Sequence, residues 1–407
     1  MDTKEFGQRV AALRRLRGMS QGDLSHAVSR SESWVSQVER GVYPVERLSI
    51  LQSLADALGV SVQELRSNAP QTSAPIQETE PQPSLDQLRL AMSGHPALSE
   101  LFGTPETTAV DLLDLEARVR DAWSLEHSGE YAELNTVLPG TLVDLERASR
   151  VVCDEERPAV LTLLASAYQA AAATFARRDE PDAAWVAADR AITAAERAGQ
   201  PLQAIAGHFR MAHAFMRLNQ LAQAEYVALT AANALEPRVA RPGAPPEELS
   251  LFGAMNLVLA MLRARENDRA GAKDHIERAR VVAERNAKDR NDFNTEFGPT
   301  NVQLHALSVA IDVGDAGEAL DIAADIDPSG LSPERQARFW LDIGRAHAQR
   351  RQVGEAVAAI EKAAELAPEQ ILGHRLTRET VALLVQLSGK RQPADLVELA
   401  RRTATDL

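Results

Sequence analysis

Over the first 66 positions apolar residues recur three and four apart in short bursts. Polar or glycine-bearing turns separate the bursts, which predicts a run of short amphipathic helices. Phe6, Val10, Leu13 and Leu16 set the first, beginning near Lys4, with Arg9, Arg14, Arg15 and Arg17 on its other faces, ordinarily solvated positions. Ser20 is a good N-cap for the second, and Asp23 three residues on completes a capping box. Leu24, Ala27 and Val28 supply its inward face. Ser31 caps a third helix whose inward residues are Val35 and Val38, and Gly41 follows where a left-handed residue is wanted. Val45, Leu48, Leu51, Leu54 and Leu58 trace a fourth, ended by Gly59, and a Ser61/Glu64 capping box opens a short fifth to Arg66.

The pattern then changes abruptly. Residues 67–84, SNAPQTSAPIQETEPQPS, contain Pro70, Pro75, Pro81 and Pro83 and hardly any large apolar side chain, the composition of a linker. A flexible chain of that length reaches roughly 20–30 Å. Leu85 to Thr108 reads as one short helix and an irregular joint.

From about Ala109 the chain repeats a cue: a polar turn, then five residues after its start a small or apolar residue that opens a helix. It occurs at Gly129 to Leu134, Asp179 to Ala184, Asn219 to Ala224, Asn267 to Ala272, Gly314 to Ala319 and Arg351 to Ala356. The spacing, roughly 37–50 residues, predicts stacked helical hairpins. In the sixth copy Trp340, Ile343, Gly344, His347, Ala356, Ile360, Ala363 and Pro368 fall on a large-small pattern that resembles the tetratricopeptide repeat. Tyr168, Ala172, Phe175 and Ala184 fit the second copy, and the last hairpin, from about Glu369, reads as a cap. By that resemblance the stack forms a concave groove lined by the first helix of each hairpin.

The third helix leaves Glu32, Ser33, Ser36, Gln37 and Arg40 facing outward, a set of donors and acceptors suited to the base edges of a DNA major groove. Ser20-Gln21-Gly22-Asp23-Leu24-Ser25, then Ser31, Val35-Ser36-Gln37 and Val38-Glu39-Arg40-Gly41, resembles the helix-turn-helix of the xenobiotic-response-element (XRE) family, with no insertion. That family has the lambda-repressor-like fold. At the turn, where the family usually has Gly-Val, this chain has Ser29-Arg30. Ser29 there costs about 1 kcal/mol, and Arg30 is placed outward, near a phosphate. The resemblance implies that Gln21 contacts a phosphate or braces a recognition residue, that Glu32, Ser33 and Gln37 face base edges, and that Arg40 clamps backbone. Trp34 reads two ways: packing on a sugar-phosphate edge, or a core or dimer contact.

Charge narrows this picture. The chain carries −14, but residues 1–66 hold nine Lys/Arg against eight Asp/Glu, which leaves −15 for the remainder. Binding of nucleic acid by bulk positive charge is excluded; a head that binds DNA does so through locally placed arginines and helix N-termini. Cys153 is the sole cysteine, so no disulfide framework or cysteine zinc site exists, and a reducing cytoplasm fits. The uncharged run Ala159 to Ala176 is rich in alanine and reads as a buried helix, not a membrane span. Catalytic readings fail, because no phosphate loop, His-Glu-x-x-His pair or nucleophile elbow occurs. His208 and His213, five apart, point to different helix faces and make a poor metal pair; no cofactor is expected.

The fold expected is all-α: a five-helix lambda-repressor-like head over residues 1–66, a Pro-rich linker over 67–84, and a tetratricopeptide-repeat-like α-solenoid over 85–407 that also dimerises. The plan resembles actinobacterial regulators of this head-plus-repeat type and the peptide-pheromone-sensing (quorum-sensing) regulators of Gram-positive bacteria. It implies a cytoplasmic, homodimeric regulator that binds a double-stranded DNA operator and takes a peptide or small-molecule effector in the groove. The alternative is a solenoid that binds another protein and needs no diffusible signal. Groove candidates are Phe209, His213 and Met216 on one hairpin, Arg338 and Arg345 on another, and Asn256 and Asn301 near the same surface, each with a structural reading beside the ligand one. The polar break Asn286 to Asn301, with Phe293 and Phe297, reads either as a ligand-contacting loop or as ring packing with Thr300 capping the next helix.

Overall fold

The computed structural model describes residues 3–17, 19–28, 30–43, 45, 50, 54–55, 57–58, 85–93, 110–389 and 392–405. They are helical, with no strand among them and one isolated antiparallel bridge between Arg290 and Phe297. The chain divides into two compact units, Met1–Glu80 and Pro81–Leu407. In the first, α1 (Thr3–Leu16), α2 (Gln21–Ala27) and α3 (Glu32–Glu39) follow the expected spacing. Leu54, Ala55 and Leu58 are buried with them. The remainder of the expected fourth helix, the fifth, Ser29, the linker and the joint after Ser93 lie outside the described residues.

The capping box forms on both sides: Ser20 Oγ accepts the Asp23 backbone N–H at 3.1 Å, and Asp23 Oδ2 accepts the Ser20 N–H at 2.8 Å. One inward residue of α2 differs from expectation. Ala27 is exposed and Ser25 is buried in its place, its hydroxyl donating to Gly22 O at 2.7 Å. Positions 25 and 27 flank the Leu24–Val28 direction symmetrically, so spacing alone does not choose between them; Ser25 takes the buried side with its hydroxyl satisfied by the Gly22 carbonyl.

The second unit opens on α4 (Asp86–Ser93), followed by antiparallel pairs: α5 (Leu112–Ser128) with α6 (Tyr131–Val151), α7 (Arg157–Arg177) with α8 (Pro181–Arg197), and α9 (Pro201–Arg217) with α10 (Leu221–Val239). Next come α11 (Pro246–Arg265) with α12 (Arg269–Asn286), α13 (Pro299–Asp312) with α14 (Ala316–Ala324), and α15 (Pro333–Gln349) with α16 (Val353–Leu366). The short α17 (Pro368–Leu372) leads to a closing pair, α18 (Arg375–Ser388) and α19 (Ala394–Arg402). All six cue residues are left-handed: Gly129, Asp179, Asn219, Asn267, Gly314 and Arg351, with φ of 77°, 59°, 58°, 59°, 84° and 60°. At each, the next residue's N–H returns five positions to a helix carbonyl, as from Glu180 to Phe175 O and Gln220 to Phe215 O, both 2.9 Å. Five residues after each cue, Leu134, Ala184, Ala224, Ala272, Ala319 and Ala356 are at most 1% exposed. The cue is one motif: a helix stop, a turn and the first packed residue of the returning helix.

Helices then approach through small side chains. A Cβ on Gly207 would lie 2.6 Å from Ile192 Cγ1, and one on Gly344 would lie 2.7 Å from Ile360 Cγ1. Helix α7 is long and apolar enough to cross a membrane, yet most of it is buried inside the body. The polar break between α12 and α13 is a built structure. Phe297 is fully buried against Gly253, Ser250 Oγ donates to Asp292 Oδ2 at 2.6 Å, and Arg290 grips both Asp292 oxygens at 2.7 and 3.0 Å. Asp289, not Thr300, caps α13, its Oδ1 accepting the Thr300 backbone N–H at 3.1 Å.

The first helices form a row, α7, α9, α11, α13 and α15, each packed on the next. Arg177 at the end of α7 reaches both carboxylate oxygens of Glu334 at the start of α15, at 2.5 Å. It also lies 2.6 Å from Glu126 Oε1 on α5. The first and last helices of the row thus meet end to start.

Gly253→Ala forces a methyl to within 2.0 Å of the buried Phe297 ring and is expected to destabilise the body by about 1–3 kcal/mol. Gly354→Ala, in open space on α16, should instead stabilise it by about 0.4–1 kcal/mol. Denaturant midpoints of the two variants check the pair; equal midpoints would remove the close-approach reading.

Candidate functional site

Helix α3 starts at Ser31, whose hydroxyl accepts the Trp34 backbone N–H at 3.2 Å. It stops at left-handed Gly41, φ 72°, where the Gly41 and Val42 N–H groups return to Val38 O and Gln37 O at 2.9 Å each. Between these stops only one side can face inward. Val35 and Val38, each 1% exposed, join Phe6, Val10, Leu24 and Val28 in the core of the head. Gly7 lets α1 lie directly on that side, since a Cβ there would come 2.2 Å from Val38 O.

The orientation of α3 is held by charge. Arg14 Nε donates to Glu39 Oε1 at 2.6 Å and Arg14 Nη2 to Glu39 Oε2 at 3.0 Å, a two-bond pair joining α1 to α3. Arg14 Nη1 also donates to Met19 O at 2.7 Å, at the start of α2. Arg14 is therefore buried, not solvated as its helix face suggested. Gln21 turns its amide to the same carboxylate, Nε2 to Glu39 Oε2 at 2.6 Å, and so braces the pair. Burial raises the cost of charge on Glu39, but hydrogen bonds from Arg14 and Gln21 outweigh it and hold the carboxyl below the ordinary glutamate value.

With that side locked, the opposite one is presented to solvent. Arg30, Ser31, Glu32, Ser33 and Arg40 are exposed, and Trp34, Ser36 and Gln37 are half-buried. Arg40 Nε donates back to Ser36 O at 3.2 Å. Trp34 packs at the edge of the head core, with the Tyr43 ring edge-on at 6.1 Å and the Arg30 guanidinium 5.9 Å above its own ring. The result is a short helix whose positive N-terminal end and one mixed polar face are free for a partner.

In the body the expected groove residues part company. Phe209 and Met216 are buried in the core, at 9% and 4% exposure. Asn256 is also not on a groove: it is fully buried, its Nδ2 donates to Phe252 O at 2.9 Å, and its Oδ1 lies 3.0 Å from His275 Nδ1. Its helix is apolar all round, so a lone amide there closes on its own backbone. Arg345 is gripped by Asp312 and Asp342 at 2.6 and 2.8 Å. Asn301 is occupied by Arg335, Nη2 to Oδ1 at 2.7 Å, and by His305, whose Nδ1 lies 2.9 Å from its carbonyl. His213, edge-on to Phe209 at 4.5 Å, and Arg338 remain available. Desolvation pushes His213 down to about 3 and His305 to about 4, so both rings are neutral at pH 7. A separate open cleft of about 620 Å³ runs between Arg269, Lys273 and the Gly314 turn, where Asp315 and Glu318 already pair with both cations.

A family model described as a helix-turn-helix domain matches residues 5–67. The head is a helix-turn-helix domain. No curated protein matches the chain. Among solved structures, Bacillus thuringiensis PlcR, in complex with the peptide PapR7 and DNA, is 13% identical, with 69% of this chain and 95% of that one covered and a TM-score of 0.26. ComR from Streptococcus suis is 12% identical, with 91% and 96% covered and a TM-score of 0.23.

Within the helix-turn-helix head, the residue that sequence reasoning passed over is Glu39. Its signal is a carboxylate directly after an inward valine, at a position that a purely solvated helix face would not need. Arg14→Met strands that carboxylate in the core and should destabilise the head by about 3–5 kcal/mol, whereas Arg14→Met with Glu39→Leu should recover most of the loss. Amide exchange across α3 reads both. Because the folded Glu39 value lies below the unfolded one, the pair's contribution is complete above about pH 4.5 and is lost as pH falls through the lower folded value. A head whose exchange protection is unchanged by acid down to pH 3 would contradict this.

Proposed function

We propose that the protein is an XRE-type, sequence-specific DNA-binding transcriptional regulator whose tetratricopeptide-like body senses a peptide or small signalling molecule and pairs two copies. The observation that carries the reading is the division of α3: Val35, Val38 and Glu39 are consumed by the core and the buried pair, while Glu32, Ser33, Ser36, Gln37 and Arg40 are left outward. A face of carboxylate, hydroxyl, amide and guanidinium groups on a rigid short helix fits major-groove readout. Gln37 suits adenine and Glu32 the cytosine amino group, while Ser31, Arg30 and Arg40 suit phosphates. The near-neutral head and acidic remainder support specific contacts over non-specific charge.

The sensing half is supported by the stacked hairpins of the body, whose first helices form one continuous row from α7 to α15. Two heads on Pro-rich tethers suit half-sites about 34 Å apart, with the body setting their pairing. A ligand then acts only through a difference in affinity between two arrangements of the pair. By this reading the protein works in the cytoplasm.

Operators recovered from a random-oligonucleotide selection test the proposal. Gln37→Ala should lose discrimination of about 1–3 kcal/mol at one base position, and Arg40→Ala should weaken all sequences alike and reduce the salt slope by about one. Uniform weakening by Gln37→Ala would remove its base-reading role, and a folded head without any sequence preference would end the regulator reading.

A further inference from the structure

Short turns join other helices of the body, such as residues 198–200 between α8 and α9, whereas residues 287–298 separate α12 from α13. The extra chain forms a closed loop laid across first helices. At its base the Arg290 N–H donates to Phe297 O at 2.9 Å. That base is anchored on α11. Phe297 is fully buried beside Gly253, Arg290 Nη2 donates to Glu247 Oε1 at 3.2 Å, and Ser250 Oγ donates to Asp292 Oδ2 at 2.6 Å. The tip, Phe293 to Glu296, reaches along the row in both directions. On one side Arg210 of α9 donates from Nη2 to Asn294 O at 2.5 Å. On the other, Glu296 Oε2 lies 4.0 Å from Arg335 Nε at the start of α15. Arg335 also donates to Asn301 Oδ1 of α13 at 2.7 Å. All these partners belong to first helices, so one loop links α9, α11, α13 and α15.

The tip does not hold its shape by local preference. Phe293, Asn294 and Glu296 have φ of 53°, 56° and 49°, left-handed values that asparagine tolerates and phenylalanine or glutamate adopts only at a cost. Such conformations persist where the surroundings over-determine them. Here the surroundings are few. Asn291 Oδ1 accepts the Glu296 N–H at 3.1 Å, Thr295 Oγ1 donates to Asp292 O at 2.8 Å, and Arg210 supplies a bond from outside the loop. Arg210 is itself poorly satisfied. Its guanidinium lies 5.3 Å from the Trp123 ring centroid on α5 and 5.2 Å from that of Phe209, and its buried Nε has no hydrogen-bond partner. Among the described residues it has no ion-pair partner, so it fastens less firmly than a two-bond pair such as Arg290 and Asp292. A strained tip under one outside fastening can lift while the α11 anchor stays in place.

We infer that residues 290–298 are a strap across the first helices of the body, with a docked and a released position of its tip, and that the Arg210–Asn294 bond decides between them. The inference rests on the sensing reading above and supplies its two-state element, through which anything bound on the first helices changes the pairing of the heads. Docked, the tip couples α9 to α15. Released, it leaves them joined through the intervening helices, each of which contacts only its neighbours, and through the Arg177–Glu334 contact.

The test uses the full chain carrying Cys153→Ser, with spin labels at Gln223→Cys on α10 and Glu355→Cys on α16, both exposed positions. Amide exchange reads the tip, and the distance between the labels reads the row. Arg210→Met removes the outside fastening, and Asn291→Ala, at an exposed position, removes the acceptor of the Glu296 N–H. Both should speed exchange of the Asn294, Thr295 and Glu296 amides about tenfold or more and broaden the label distance, while protection within α11 stays at the wild-type level. Asp327→Ala, whose carboxylate accepts the Ser329 N–H in a turn outside the strap, should change neither. If Arg210→Met loses protection throughout α11 as well, its body is misfolded and Asn291→Ala carries the decision. Unchanged tip exchange in Asn291→Ala, or faster exchange with an unchanged label distance, would overturn the inference. Culture extract keeps the two levels apart. A fraction that alters operator binding and leaves tip exchange as it was overturns the strap as the switch, with sensing intact, and a fraction that alters both supports both. If no fraction alters operator binding, the sensing reading fails by itself, and the labels still decide whether the tip couples α9 to α15.

Discussion

The distance at which two helix backbones can pack governs this molecule more than any single polar contact. Each hairpin of the body exposes an apolar side that it cannot bury alone, so it stacks on its neighbour. Alanine and glycine at the crossings let the backbones close to the point where one added methyl would overlap Ile192 or Ile360. Interiors at this density forfeit dispersion contacts for any gap and incur strain for any excess. The left-handed cue residues serve the same end, since they turn the chain within two residues and deliver the next small side chain to the interface.

Close stacking also sets the curvature. A row of first helices packed this tightly brings the end of α7 to the start of α15, where Arg177 meets Glu334. In the head an ion pair lies in the core itself. Arg14 and Glu39 neutralise each other in the core, and the pair specifies the rotation of α3 more than it adds net stability.

Local order was legible in the residues because its causes are local. Helical periodicity, the Ser20/Asp23 box, the left-handed Gly41 and all six hairpin turns follow from spacing and from the steric preferences of a few side chains. The outward set on α3 could be read for the same reason: once Val35 and Val38 face in, the 3.6-residue period assigns Glu32, Ser33, Ser36, Gln37 and Arg40. The small error at Ala27 and Ser25 is one of rotation on a helix of seven residues, too short for its period to be averaged.

Contacts between distant positions were not legible, and they decided the sites. Arg14 and Glu39 are 25 residues apart and Arg177 and Glu334 are 157 apart, so no local pattern records that they meet. Asn256 looks like a groove amide until its helix proves buried on every side, and Arg345 looks free until Asp312 and Asp342 arrive from either side. What the residues alone determined was a chain of short capped helices, a repeated hairpin and one polar helix face. Which charges are cancelled and by which partner was decided by tertiary packing, because electrostatic pairing depends on distance in space and not on separation along the chain.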